Sequence, residues 1–294
     1  MNSVPSSPFS RRFVRRARGK AAEEGFALVL VLWALLLLSV LGGSFLVEAR
    51  TTRIVADTGA AQLKARLMSD GAINRAIMAL LDVRDPLRLP LDGSTRIIRL
   101  FDRDIRLRVE SENGKASLNA APLGLLAALF RSIDVPPEDA DALAARVIAW
   151  RTPSSDNARS DKIALYREAG RSYQPRFGQF RSVGELRLVL GMTDALQAAL
   201  APLSTVWSGD SAVDRSVASE AMLRVLEGQG DSLATAQRVA RDAGQAAGAS
   251  RSLAVGEAVT IAARLEMPDM IVERTAVIQL AGDRREPYRV LAWH

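Results

Sequence analysis

Residue types that do chemistry are scarce in this chain. His294 is the only imidazole and cysteine is absent from the 294 residues. A terminal histidine is expected to lie in solvent, inert. Thiol catalysis, histidine-based triads and His/Cys zinc sites are excluded. Lysine occurs only at 20, 64, 115 and 162, and no serine stands three residues before any of them. A Ser-x-x-Lys nucleophile is therefore missing. Gly114-Lys115 is followed by Ala116, and Val109 stands where a phosphate loop needs its first glycine. No EF-hand pattern occurs. An anchored hydrolase would have neither nucleophile nor base, so the chain is read as no enzyme.

The remaining chemistry is chemistry done to the chain. At Gly25-Phe26 an apolar block begins abruptly after Glu23 and Glu24. From Phe26 to Val47 there are 22 residues and no charge. A helix of that length reaches roughly 33 Å, enough to cross a bilayer core of about 30 Å. Arg11, Arg12, Arg15, Arg16, Arg18 and Lys20 precede it, which keeps the leader in the cytoplasm and sends the bulk of the chain across the membrane. A secretory signal would have a shorter apolar core and an A-x-A-like site at its end. The arrangement here suits a peptidase that cuts on the cytoplasmic side and leaves the apolar helix on the mature chain. The leader to Gly25 carries six basic and two acidic residues, a net +4 of the total +6, so only +2 remains beyond it. The basic balance is thus mostly a topology signal and argues against a nucleic-acid partner.

Behind the span, Ala60, Leu63 and Leu67 and then Ile73, Ile77, Leu80 and Leu81 recur at helical spacing, broken at Asp70-Gly71 and ending at Asp85-Pro86. One helix from Phe26 to Val83 would measure on the order of 87 Å. Residues 96–100 and 105–109 read as strands around an Asp102-Arg103-Asp104 turn, with Asn113-Gly114 closing the second. Helices are expected from Pro122, with Leu123, Leu126 and Phe130 on one face, and from Pro136-Pro137 to Trp150. Arg151 to Gly178 reads as loop. Ser182 and Glu185 form a capping box for the next helix, and Thr193 caps another that reaches Leu200. The Phe180–Leu200 segment resembles a helix-hairpin-helix, but one glycine, Gly191, and no nearby base make it a packing module. Helices over Ser219–Leu226 and Leu233–Ala247 follow. The tail returns to strands at Ala258–Leu265, Met270–Leu280 and Tyr288–Trp293. Trp150, Trp207 and Trp293 read as core or rim anchors.

Gly25-Phe26 and the helix behind it resemble a type IV prepilin N-terminus. That resemblance implies cleavage after Gly25 by a prepilin peptidase and methylation of the new terminus, Phe26. Most members carry glutamate at the fifth residue after the cut and a basic residue before the glycine; here Leu30 and Glu24 stand there. Lack of that glutamate is a trait of pseudopilin K (general secretion pathway protein K) of type II secretion. Further segments are similar to that family: Gly114–Pro122, Ala149-Trp150-Arg151, Phe180–Leu186 with Leu190-Gly191-Met192, and Pro287–Trp293. Val213–Ala218 departs from it, standing where an Asn-x-x-x-Ala-Pro turn tends to recur.

The resemblance implies an α+β, pilin-like fold: a long N-terminal transmembrane helix, a small antiparallel sheet and a large mostly helical insertion. Its parts would be a cleaved leader 1–25, a transmembrane segment 26–47, an amphipathic continuation 48–85, a sheet from 86–116 and 250–294, and an insertion 117–249. Some members bind calcium in the loop after the Trp-Arg pair. Here that loop offers Asp156, Asp161 and Glu168, but calcium wants 6–8 oxygens. These read as solvated loop acids, and no cofactor is expected.

The function implied is structural: a minor pseudopilin at the tip of the type II secretion pseudopilus that initiates assembly. Leu30 marks the tip position, because a subunit placed first has no neighbour above whose terminal amine a glutamate would pair. Partners would be other minor pseudopilins, the prepilin peptidase and the inner-membrane assembly platform. The expected location is the bacterial inner membrane, single-pass, with the bulk of the chain periplasmic. The alternative is a membrane-anchored helix-hairpin-helix DNA receptor of the competence type.

Overall fold

The computed structural model describes residues 20–82, 84–87, 89–100, 102–231, 235, 238–239 and 253–294, with backbone alone for 20–27 and 41–55. The expected helix Leu233–Ala247 falls largely outside these residues, as does most of the leader. Two compact units divide between Ala61 and Gln62.

The first unit contains the N-terminal part of helix α1, Lys20–Leu81, a single element of 62 residues. Every side chain described from Leu28 to Val40 is exposed. Among the described residues no helix is long and apolar enough to cross a membrane. The 26–47 span extends beyond the side chains described at both ends.

The second unit opens on the end of α1. Ala65, Met68, Ser69, Ala72, Ile73, Ala76 and Ile77 are buried, whereas Leu63 and Leu67 are 59% and 61% exposed. The expected Ala60/Leu63/Leu67 stripe is therefore not the packed one. The buried stripe is rich in small side chains, which lets the helix lie close to a sheet. The backbone of α1 runs without interruption through Asp70-Gly71, as the single helix expected over this stretch does.

That sheet has five antiparallel strands in the order β1-β2-β5-β6-β7. They are β1 Asp92–Leu100, β2 Arg103–Ser111, β5 Ala258–Met267, β6 Met270–Leu280 and β7 Tyr288–Trp293. Leu100 pairs with Arg103, so the hairpin turns one residue earlier than expected, with Asp102 at φ 57°. Alternation at period two builds one face from Ile105, Leu107, Val109, Val259, Ile261, Ala263 and Leu265, all buried against α1. Asp70 of α1 fixes the last strands: it accepts from Arg274 Nε and from Trp293 Nε1, each at 3.0 Å.

Between β2 and β5 sits a mostly helical block with its own core. It contains β3 Ala116–Ser117, α2 Leu123–Arg131, α3 Pro137–Arg151, α4 Asp156–Glu168, α5 Asp194–Leu200, β4 Ser204–Thr205 and α6 Glu220–Glu227. α2 is its centre. Leu125 to Phe130 are all buried, while Leu123 is 46% exposed, so the expected Leu123/Leu126/Phe130 face holds only for its last two members. The parallel β3–β4 pair was not legible, since two residues per strand carry no period.

Two further expectations change. The Arg151–Gly178 stretch holds a helix, α4, whose one buried residue is Tyr166. A helix that is polar nearly all round has no apolar stripe to read. The Ser182/Glu185 capping box does not form: Val183–Leu188 is a 3₁₀ segment and Ser182 makes no cap bond. Glu185 is held instead by Arg176 Nη1, at 2.7 and 3.0 Å from its two oxygens. Thr193 does cap α5, accepting from Leu196 N at 3.2 Å.

Candidate functional site

Three segments far apart in sequence meet where α3 ends. Arg151 follows the buried Trp150 and donates from Nη1 to the Leu118 carbonyl and from Nη2 to the Ala121 carbonyl, both at 2.6 Å. Burial pulls its guanidinium below the ordinary value, though a guanidinium stays charged. Asn119, between those carbonyls, accepts from Phe180 N at 2.7 Å and donates to Phe180 O at 3.0 Å. Trp150 and Phe180 stack at 6.0 Å between centroids, with Tyr166 tilted against Trp150 at 6.2 Å. The loop Leu118–Ala121, the Trp-Arg pair and the Phe180 segment thus form one knot. It is a positioning device, with no group poised for catalysis.

A second polar cluster joins the sheet to the helical block. The turn after β2 carries Glu112, 2% exposed, and Lys115. Lys115 Nζ lies 2.8 Å from Glu112 Oε1 and 3.1 Å from Glu110 Oε2. Thr260 of β5 donates to Glu112 Oε1 at 2.6 Å, and Thr205 of β4 donates to its other oxygen. A buried carboxylate is tolerable only when so satisfied. Gly114, inside this turn, is required: a Cβ there would stand 2.5 Å from the Val217 carbonyl oxygen. Val217 belongs to the Val213–Ala218 segment, whose Asp214 N donates to Asn113 O at 2.8 Å. From sequence, Gly114-Lys115 is a failed phosphate loop, the close of a strand and the start of a family-like segment, but its ion pairs are not read. Three charges, Glu110, Glu112 and Lys115, around an Asn-Gly turn that joins a strand to a helical block were the available signal.

The calcium candidates Asp156, Asp161 and Glu168 lie along α4 rather than in a loop, all exposed. Asp161 and Glu168 share a side of the helix but stand about two turns, roughly 10 Å, apart along it, and Asp156 is turned away from both. Among the described residues no group of three or more acidic, histidine or cysteine side chains could hold a metal ion. The hairpin expected to be a packing module spends its backbone internally: Leu190 N donates to the Tyr166 hydroxyl at 3.0 Å and Leu190 O accepts from Arg146 Nη1 at 3.2 Å. Gly25 and Phe26 fall within α1, where the backbone alone is described; Leu30 is 56% exposed. Of the tryptophans, Trp150 is core, and Trp207 and Trp293 are half-buried.

Residues 105–209 match the family model of type II secretion system (T2SS), protein K. The fold is similar to a chain in the crystal structure of the GspK-GspI-GspJ complex from the enterotoxigenic Escherichia coli type 2 secretion system. The identity is 17%, the TM-score 0.52, and the likeness covers 81% of this chain and 98% of that one. A comparison with curated proteins found no match.

Proposed function

We infer that this chain belongs to the protein K family of the type II secretion system and serves there as a minor pseudopilin. The observation that carries this is the knot of Asn119, Arg151 and Phe180. The segments that resembled the family from sequence close on one another inside the matched stretch. The role is structural.

The chain is anchored by residues 26–47 in a bacterial inner membrane, leader inside and bulk outside. Supporting this are the uncharged run itself, the basic leader and the exposure of every described side chain from Leu28 to Val40. An apolar surface of that extent must meet lipid or another protein. A prepilin peptidase cuts after Gly25 and Phe26 becomes the methylated terminus. Leu30 fits placement at the pseudopilus tip, because an unpaired acid in lipid is costly and a first subunit offers no amine above it. The solved relative was crystallised with GspI and GspJ, and minor pseudopilins of that kind are the partners proposed here, with the inner-membrane assembly platform.

Replacing Gly25 by a bulky residue, for example Gly25→Leu, tests the processing step. Precursor should accumulate on a size blot, and the wild-type mature chain should begin at Phe26 by mass spectrometry. An unchanged precursor-to-mature ratio would refute it.

A further inference from the structure

α4 contributes one buried side chain to the helical block, Tyr166, whose ring leans on Trp150 at 6.2 Å and whose hydroxyl accepts from Leu190 N at 3.0 Å. That fixes the second half of the helix. The first half meets a ring from another segment. Arg159 places its guanidinium carbon 4.6 Å from the centroid of Phe177, over the ring, and Lys162 brings Nζ to 5.9 Å from the same centroid. Both distances lie within the range of cation–π attraction. Lys162 also donates to Ser154 Oγ at 2.7 Å, in the connection between α3 and α4.

The order of residues along α4 serves this contact. Arg159, Lys162 and Tyr166 stand at i, i+3 and i+7, which puts them on one side of a helix with 3.6 residues per turn. Asp161 and Glu168 fall on roughly the opposite side, so the flank of α4 that meets the block is cationic. Phe177 is held ready to receive it. The residue is buried, and its backbone takes φ 54°, a left-handed conformation that a bulky side chain keeps only where its surroundings impose it. Gly178 N, next in the chain, donates to the Trp150 carbonyl at 3.3 Å, which ties the ring to the end of α3. A divalent ion seated between α4 and this loop would face Arg159 and Lys162, charges of its own sign, with the carboxylates of Asp161 and Glu168 turned away.

We propose that Phe177, Arg159 and Lys162 form a cation–π clasp that fastens the first half of α4 to the end of α3, and that the clasp makes this corner of the block independent of divalent cations. It belongs to the helical block and stands or falls apart from the secretion role.

The test is hydrogen exchange of the α4 amides, read by mass spectrometry on the full chain purified in detergent micelles. Arg159→Gln and Phe177→Leu should each speed exchange in α4 by about two- to fivefold and leave the sheet unchanged. The double variant should exchange no faster than Phe177→Leu alone, since each change removes the same contact. Arg159→Lys and Phe177→Tyr, which keep a cation and a ring, should stay near wild type. Wild type should show the same α4 exchange and the same Tm in millimolar calcium as in EGTA. Arg159 is exposed, so Arg159→Gln keeps the chain folded and decides the matter even where Phe177→Leu does not fold. Unchanged exchange in Arg159→Gln, additive effects in the double variant, or protection of α4 by calcium would each overturn the proposal.

Discussion

Asn119 holds both main-chain groups of Phe180, accepting from its N–H at 2.7 Å and donating to its carbonyl at 3.0 Å. Those two bonds lock the loop after β3 onto a segment more than sixty residues later, beside the two carbonyls that Arg151 grips. Asn119→Ala removes both bonds at once and leaves a buried peptide group unsatisfied. The expected loss is about 1–3 kcal/mol, read as a lower Tm of the purified chain. Asn119→Asp should do no better, because its second oxygen would face the Phe180 carbonyl oxygen. Unchanged Tm in both variants would mean that the pairing holds nothing together.

The two faces of α1 beyond Ala61 should respond differently to substitution. Ala72 is fully buried under the sheet, whereas Leu67 is 61% exposed. Ala72→Leu adds methylene groups inside the core that α1 shares with the sheet, and overpacking of that kind costs about 1–3 kcal/mol. Leu67→Gln should leave the stability of the chain on its own within about 0.5 kcal/mol. Chemical denaturation of the two variants side by side checks this. Equal losses would mean that the packed stripe has been misplaced.

The reason that stripe was misread explains how much of this fold was legible. Strands announce themselves by alternation. Ile105-Arg106-Leu107-Arg108-Val109 points its apolar members inward at period two, and the three C-terminal strands were placed to within two residues of their observed ends. Ile73 and Ile77 are buried as their spacing predicts, but the turns before them pack largely through Ala65, Ser69 and Ala72, which a search for large apolar side chains does not see, so Leu63 and Leu67 stood out instead. α4 was missed for a related reason: Tyr166 alone is buried, and a polar helix held by one ring has no stripe. At the knot, the segments could be named from sequence, but their meeting could not. The bonds of Arg151 and Asn119 run to main-chain groups, whose partners no residue type betrays.

Lys115 supplies the sharpest pH signature. Burial by itself pulls its ammonium down, but the charges of Glu112 and Glu110 outweigh that and hold it above its ordinary value of 10.5. A proton held more tightly in the folded chain stabilises the fold fully below the unfolded pKa, and that contribution is lost as pH rises through the folded value. The seam should therefore be at full strength at neutral pH and weaken only above 10.5. Lys115→Met leaves Glu112 charged and buried with only hydroxyl partners, Thr205 and Thr260. Stripping one partner from a buried pair costs about 3–5 kcal/mol, which is the expected deficit at neutral pH. Urea unfolding of wild type and variant across the alkaline range separates charge from packing. If the ion pairs carry the seam, the gap narrows as wild-type Lys115 loses its proton. A gap that stays constant to the top of the range would assign the effect to the lost methylene packing and remove the charge from the account.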